Sequence, residues 1–202
     1  MKYRLFALVV MLFLSCSSDN PNGPEPQQFT AAYFPVADGY TWYYTSDEFG
    51  SITRIVDGDT TINGRDCKRV LENGVTAEAW SLRESGDSAG FYVHLLSYGS
   101  VFYEFEPPLP IPFGMEEGEV HNYESTVTKI VSGNITEVFD ISGNLRFEGF
   151  INYMVPAGDF EDVVQLYYVE DAYSEYYARG VGLLDNEDYV LDSAYIDGTW
   201  YR

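Results

Sequence analysis

The residues that most often carry out chemistry in proteins are sparse in this chain of 202 residues. The two histidines are His94 and His121, and the two cysteines are Cys16 and Cys67. A zinc site needs three or four such ligands at short spacings, and no segment provides them. A serine hydrolase elbow of the form G-x-S-x-G is also missing from the sequence. We therefore predict no metal site, no cofactor and no catalytic residue of these kinds.

Carboxylates are the reactive groups that the sequence supplies in quantity. It contains 32 Asp and Glu residues, and two acids in a cleft are enough to hydrolyse a glycosidic bond. The 13 Phe, 18 Tyr and 3 Trp residues would stack on sugar rings, although aromatic residues are also favoured in β-strands. No pair of acids is singled out by its spacing. A glycan-acting hydrolase that uses paired carboxylates is therefore kept as one alternative function.

Cys16 stands at the end of a short apolar run near the start of the chain. Lys2 and Arg4 precede the ten uncharged residues LFALVVMLFL, and the run ends in FLSC. A membrane-spanning helix needs about 20 apolar residues, whereas a charged start and a shorter apolar run are typical of a secretory signal peptide. The FLSC segment resembles the lipobox of bacterial lipoproteins.

This resemblance implies that residues 1–15 are a signal peptide and that Cys16 becomes the lipidated N-terminus. Ser17 directly after the cysteine implies, by the same resemblance, passage to the outer membrane. Two or more acyl chains hold a protein stably at a bilayer where one chain does not. We accordingly predict a lipoprotein of the cell envelope, anchored in the outer membrane, with the side of that membrane left open.

The net charge limits the partners of this chain. The formal charge is −21, and the loss of residues 1–15 removes two basic residues and no acidic one, which brings it to −23. A surface this acidic repels phosphate groups, so we expect no nucleic acid as a partner. Besides the membrane, the expected partners are an apolar ligand or another envelope protein.

Residues 30–202 are predicted to form a single β domain, which follows a polar tether at residues 16–29. Short runs rich in Tyr, Val, Phe, Ile and Thr fit β-strands, and turn signals separate them every eight to twelve residues. Asn-Gly and Asp-Gly pairs are favoured in hairpin turns. The pattern predicts an all-β fold of about ten to twelve antiparallel strands in a strongly curved sheet or half-barrel. A β-sandwich and a closed barrel are the alternatives. The turn signals include Asp57-Gly58, Asn63-Gly64, Asn73-Gly74 and the SGN triplets at 132–134 and 142–144.

The segment EFEPPLPIPFGM interrupts this pattern with prolines at positions 107, 108, 110 and 112. Proline lacks the backbone N–H that a central strand needs, so we predict a loop with polyproline II conformation. Leu109, Ile111 and Phe113 make this loop apolar, and exposed apolar segments promote aggregation. We expect the loop to fold over an open end of the sheet, where these three residues form a candidate ligand-binding lid.

Three longer segments resemble recurring segments of exported bacterial β-domains that form an uncharacterised family. These segments are YFPVADGYTWYY, VPAGDFEDVVQLYY and EYYARGVGLLDNED, and they cover about a quarter of the domain in the expected order. The resemblance implies a β fold and assigns no chemistry. Some relatives are likened to lipoprotein-carrier half-barrels. In the third segment, Gly180 and Gly182 predict a bulge or bend with positive φ.

Three functions follow from these observations. The first is a non-catalytic envelope lipoprotein whose curved sheet binds an apolar ligand or a partner, and it requires a lined cavity. The second is an interaction or assembly module with a solid core. The third is the hydrolase, which requires two carboxylates in an accessible cleft. An outer-membrane barrel is a fourth, disfavoured by short and acidic strand segments.

Overall fold

The computed structural model describes residues 27–202. The predicted signal peptide, Cys16 and most of the predicted tether therefore lie outside the described residues. Within the described part, no helix is long and apolar enough to cross a membrane. A 3-10 helix covers Ala31–Tyr33, and the strands are β1 (Thr41–Ser46), β2 (Gly50–Ile62), β3 (Arg65–Glu72), β4 (Val75–Arg83), β5 (Gly90–Tyr98), β6 (Val101–Pro112), β7 (Val120–Val131), β8 (Asn134–Val155), β9 (Gly158–Tyr168), β10 (Tyr173–Ala178), β11 (Gly182–Asp185), β12 (Val190–Ile196) and β13 (Thr199–Tyr201).

These strands form one antiparallel sheet that closes on itself. Each strand pairs with the next along the chain, and β1 also pairs with β12, with Trp42 opposite Ala194. Twelve strands complete the barrel, and β13 is an additional strand hydrogen-bonded to β12. The predicted all-β antiparallel fold is thus confirmed, and the closed barrel, one of the two alternatives, is the architecture observed. Closure removes the free edges that a half-barrel would leave.

Some predicted turns are confirmed and others are bulges inside strands. Asn63-Gly64 and Asn73-Gly74 form two-residue turns in which all four φ angles are positive. Asp57-Gly58 instead lies within β2, where the pairing register with β3 shifts between Val56 and Asp59. The SGN triplet at 142–144 lies within β8, and Gly143 is needed there because the ring of Tyr123 lies directly against it. A glycine therefore marks a bulge or a close contact as readily as a turn.

The proline segment is a strand, so the prediction of a loop at this point was wrong. Strand β6 contains all four prolines and pairs with β5 as far as Gly90 opposite Pro112. On its other side β6 pairs with β7 only from Val101 to Glu106. The prolines begin at the next residue, and proline is tolerated where its missing N–H faces an unpaired edge. Three of them, at positions 108, 110 and 112, alternate along the strand and therefore face the same edge.

Apolar side chains fill the barrel interior. Trp42 is almost fully buried, and its indole N–H donates a hydrogen bond of 2.6 Å to the Val181 carbonyl oxygen. The predicted positive φ at Gly180 and Gly182 is confirmed at +73° and +95°. A second cluster surrounds Phe29, which is 1% exposed. The tether predicted for residues 16–29 therefore ends before Phe29, because that side chain belongs to the core.

Candidate functional site

A small cavity lies inside the barrel formed by the described residues. An apolar cavity of about 40 Å³ is lined by side chains that include Trp42, Tyr44, Arg54, Trp80 and Tyr177. Pockets for small-molecule ligands have volumes of about 300–1,000 Å³, whereas one water occupies about 10–15 Å³ on the same measure. This cavity therefore has room for a few water molecules and not for a lipid chain or a sugar ring.

Arg54 projects from β2 into this interior between two carboxylates. The residue is 7% exposed, its Nε lies 3.3 Å from Oε2 of Glu72, and its Nη2 contacts Oε1 of Glu78. Burial alone lowers the pKa of Arg54, but Glu78, Tyr44, Tyr189 and Glu72 together outweigh this effect, so the pKa is raised. Arg54 is therefore permanently charged. Both carboxylates are occupied by this ion pair, which makes them part of the core structure.

Glu175 on β10 forms a second polar cluster inside the barrel. Its Oε2 accepts hydrogen bonds of 2.8 Å from the hydroxyl groups of both Tyr168 and Tyr177. Burial raises the pKa of Glu175, and the two hydrogen bonds oppose this effect. Burial also raises the pKa of both tyrosines, which therefore remain neutral donors.

A carboxyl group with a raised pKa is the kind of group that acts as a general acid in glycosidases. Glu175 and Glu78 are close enough for their charges to interact, which makes them the acids to examine for a hydrolase. The neighbouring cavity of about 40 Å³ does not admit a sugar ring. The sequence does not single out Arg54, Glu78 or Glu175.

A more accessible site is the place where the pairing of β6 with β7 stops, which we call the β6–β7 fork. It consists of Pro107–Pro112 of β6 and 120–125 of β7, beyond the last pair, Glu106 opposite Thr126. An open cleft of about 500 Å³ lies at its vertex, lined by Glu106, Pro107, Glu124, Ser125, Thr126, Asp140, Ile141 and Ser142. The Ser125 hydroxyl donates a hydrogen bond of 2.7 Å to the Pro107 carbonyl oxygen.

The outer face of the fork is acidic. Glu106 lies opposite Thr126, which in turn lies opposite Asp140, and Glu124 is two residues from Thr126 on the same face. All three acidic residues are exposed. Arg65 forms an ion pair of 2.7 Å with Glu106, and the Thr126 hydroxyl donates to Asp140 at 2.8 Å. The carboxylates therefore outnumber the cation beside them.

A second open groove lies at the end of the barrel where the N-terminal segment enters. It has a volume of about 700 Å³, and its lining includes six residues of the segment 31–37 together with Leu82, Arg179 and Tyr201. Its lining mixes small apolar side chains with one basic and two acidic residues. The groove is wide and on the surface, like the cleft at the fork.

The three residues of the predicted lid lie at the end of β6 and directly after it. Ile111 is 4% exposed and belongs to the cluster around Phe29, and the Phe113 ring lies 5.7 Å from the rings of Phe29 and Phe34. Leu109 is half-buried. These residues pack on the core, and their role in binding a ligand stays a prediction.

The other candidate reactive groups, His94 and Cys67, are buried. His94 is 2% exposed and its Nε2 lies 2.7 Å from the Ser81 hydroxyl oxygen. Burial lowers the pKa of His94 to about 4, and Arg65 adds to this effect. Cys67 is buried beside Ala79, and burial raises the pKa of its thiol. Within residues 27–202, no group of three or more His, Cys, Asp or Glu residues is placed to hold a metal ion.

Comparison with known proteins gives one structural likeness. No protein-family model matches the chain, and no curated protein is significantly similar to it. A solved structure from Parabacteroides distasonis ATCC 8503, described as a "putative lipoprotein", is similar with a TM-score of 0.47 and 17% sequence identity. The match covers 83% of this chain and 98% of that chain. A likeness at this level supports no statement about the function of the present chain.

Proposed function

We propose that the protein is a non-catalytic, lipid-anchored domain of the bacterial cell envelope that binds a partner on its outer surface. The observation that supports surface binding is the filled barrel, whose inner cavity measures about 40 Å³. The open clefts of about 500 and 700 Å³ both lie on the outside. Of the functions derived from the sequence, the interaction module with a solid core fits this arrangement best.

The lipid anchor is supported by the sequence around Cys16. A charged start, a ten-residue apolar run and FLSC form the signal, and a diacylated cysteine holds a protein at a bilayer. The other cysteine, Cys67, is buried in the barrel and is not available for modification. Anchoring would keep the acidic domain beside the outer membrane, where its partner would be another envelope component.

Metabolic labelling tests the anchor. The full chain is expressed in a Gram-negative host that is fed an alkyne analogue of palmitate. We expect label on the natural chain and on Cys67→Ala, and none on Cys16→Ser. Label on Cys16→Ser, or its absence from the natural chain, would contradict the anchor.

Native mass spectrometry tests the mode of binding. The mature chain, carrying Cys16→Ser so that no lipid is attached, is incubated with an extract of cell-envelope lipids. We expect a single mass without lipid adducts, because the interior has no room for an acyl chain. Adducts of lipid mass that disappear in Leu109→Asp or Phe113→Asp would instead identify a ligand carrier with the predicted lid.

A further inference from the structure

We propose that the β6–β7 fork binds a basic, extended segment of another protein, which adds to β7 as a new strand. This inference rests on the proposed function, because it names the surface and the class of partner of a surface-binding protein. The segment would carry Lys or Arg at alternate positions. It would lie along residues 120–125, on the edge that β6 leaves free.

The first argument is the free edge of β7. Strand β7 pairs with β8 along its whole length, from Val120 opposite Arg146 to Val131 opposite Asn134. Its other edge pairs with β6 only from Thr126 to Val131. Within residues 27–202, no other strand pairs with the edge of residues 120–125. A strand edge with free N–H and C=O groups is a template for an added strand.

The second argument is that the neighbouring chain does not close this edge. The prolines at positions 108, 110 and 112 remove the donors from one edge of β6, so β6 cannot form a regular ladder with β7 there. After β6 ends, the chain bonds to β8: Gly118 N–H donates to the Phe147 carbonyl at 2.7 Å, and Phe147 N–H donates to the Glu119 carbonyl at 3.0 Å. Both bonds continue the β7–β8 ladder beyond Val120 and use the edge that faces β8, so the opposite edge of residues 120–125 keeps no strand partner.

The third argument is the charge around the cleft. Glu106, Glu124 and Asp140 line its outer face, with Arg65 as the cation paired to Glu106. Outward-facing side chains of an added strand would lie next to Glu124, because directly opposite residues on paired strands share a face. Opposite charges in such positions stabilise the pair, and like charges destabilise it. The whole chain has a formal charge of −21, which also favours the approach of a basic partner.

The alternate side chains of the added strand would face the inner side of the sheet. There they would meet the side of β7 that carries Ser125, whose hydroxyl is bonded to Pro107. Small uncharged side chains fit this side. The expected segment therefore alternates basic residues with small or β-branched ones, which is also the pattern of a strand with one polar face.

Two synthetic peptides test strand addition. A labelled Lys-Val-Lys-Val-Lys-Val peptide has the required charge and backbone donors, and the same peptide methylated at every peptide nitrogen has the same charge without N–H donors on either edge. Each is titrated into the mature chain carrying Cys16→Ser, with fluorescence anisotropy for affinity and amide NMR for location. We expect the first peptide to bind and to shift the amides of residues 120–125, and the second to bind at least ten-fold more weakly.

Two charge variants test the position of the peptide. Glu124→Gln is expected to weaken binding by about two- to five-fold, the effect of one cross-strand charge pair. Its matched control is Glu161→Gln, an exposed acid on β9 away from the fork, which should leave the affinity unchanged. Raising the salt concentration should weaken binding of the natural chain, because exposed charges are screened.

Several results would overturn the inference. Equal affinity for the two peptides would show attraction by charge without strand pairing. No binding of the Lys-Val peptide, or an equal loss from Glu124→Gln and Glu161→Gln, would also contradict it. A dimer of the free chain that Glu124→Lys abolishes would assign the edge to a second copy instead. If the peptide test fails while Cys16 is labelled and no lipid adduct forms, the proposed function stands and only this surface is wrong.

Discussion

The barrel body and the β6–β7 fork belong to one sheet but differ in two respects. They differ in whether the strand edges are paired and in whether the side chains are buried. In the body, β1 and β12 close the sheet, and large side chains such as Trp42 and Phe147 fill its interior. At the fork, the pairing of β6 with β7 stops and acidic side chains face solvent. The body fills its interior with side chains, whereas the fork leaves backbone groups of β7 without a strand partner.

An open strand edge carries a risk of aggregation, and the fork contains two devices that limit it. Prolines on the edge and charged side chains both discourage uncontrolled pairing. The prolines in β6 remove donors from that side, and the carboxylates repel a second copy of this acidic chain. Both devices would make the proposed strand addition selective for a basic segment.

The largest difference between the two regions is expected from deleting a core side chain. Phe147 is 2% exposed, and its ring lies 5.5 Å from that of Phe29. Phe147→Ala should lower the free energy of unfolding by about 3–5 kcal/mol through lost burial and the cavity left behind. Urea denaturation measures this. The matched control is Val138→Ala on β8, which is 59% exposed and should change stability by less than about 0.5 kcal/mol. Similar losses at both positions would contradict the assignment of Phe147 to a tightly packed core.

A smaller effect is expected for His94, which lies close enough to Arg65, Arg83 and Glu106 for their charges to influence it. Burial lowers its pKa to about 4, against 6.5 in the unfolded chain. The folded state therefore disfavours the bound proton, so this contribution to stability is present above pH 6.5 and is lost as the pH falls towards 4. The full shift corresponds to about 3 kcal/mol.

The measurement is urea denaturation of the natural chain and His94→Gln between pH 7.5 and 4. The stability of the natural chain relative to the variant should fall as the pH is lowered. A constant difference across this range would show that the imidazole takes up its proton in the folded state without cost.

Glu175 in the body should show the opposite pH dependence. Burial raises its pKa, so its contribution favours the folded state below the unfolded pKa of a carboxyl group and is lost as the pH rises through the folded value. Glu175→Gln removes this titration. The variant should therefore gain stability relative to the natural chain as the pH is raised from 4 to 7, measured by the same denaturation series. The same trend for His94→Gln and Glu175→Gln would mean that one of the two environments is misassigned.

The sequence predicted the local features of the fold better than the closure of the sheet. Asn63-Gly64 forms a turn because its geometry depends on two adjacent residues. Closure depends on Trp42 pairing with Ala194, residues far apart in the chain, and no local pattern encodes such a contact. The proline-containing part of β6 was predicted as a loop because proline is excluded from central strands. The edge of β6 that faces β7 is unpaired there, and this is visible only in three dimensions.

The candidate site was predictable in part. The sequence analysis singled out the proline segment, which forms one side of the fork. It did so because Leu109, Ile111 and Phe113 were predicted to form a ligand-binding lid. The acids of the fork were not distinguished, because Glu106, Glu124 and Asp140 are separated in sequence and meet only through the register of three strands. The ion pair of Arg54 with Glu78 was likewise invisible until β2 and β4 were placed around the same interior.

Residue-resolved hydrogen exchange of the mature chain, carrying Cys16→Ser, tests the contrast between body and fork most directly. Alternate amides of a strand face opposite edges. We therefore predict that alternate amides of residues 120–125 exchange rapidly, while their neighbours, bonded to β8, and the amides of 163–166 in the body are strongly protected. Uniform protection throughout residues 120–125 would show that the edge of β7 is closed, and it would contradict the account of an open fork on a filled barrel.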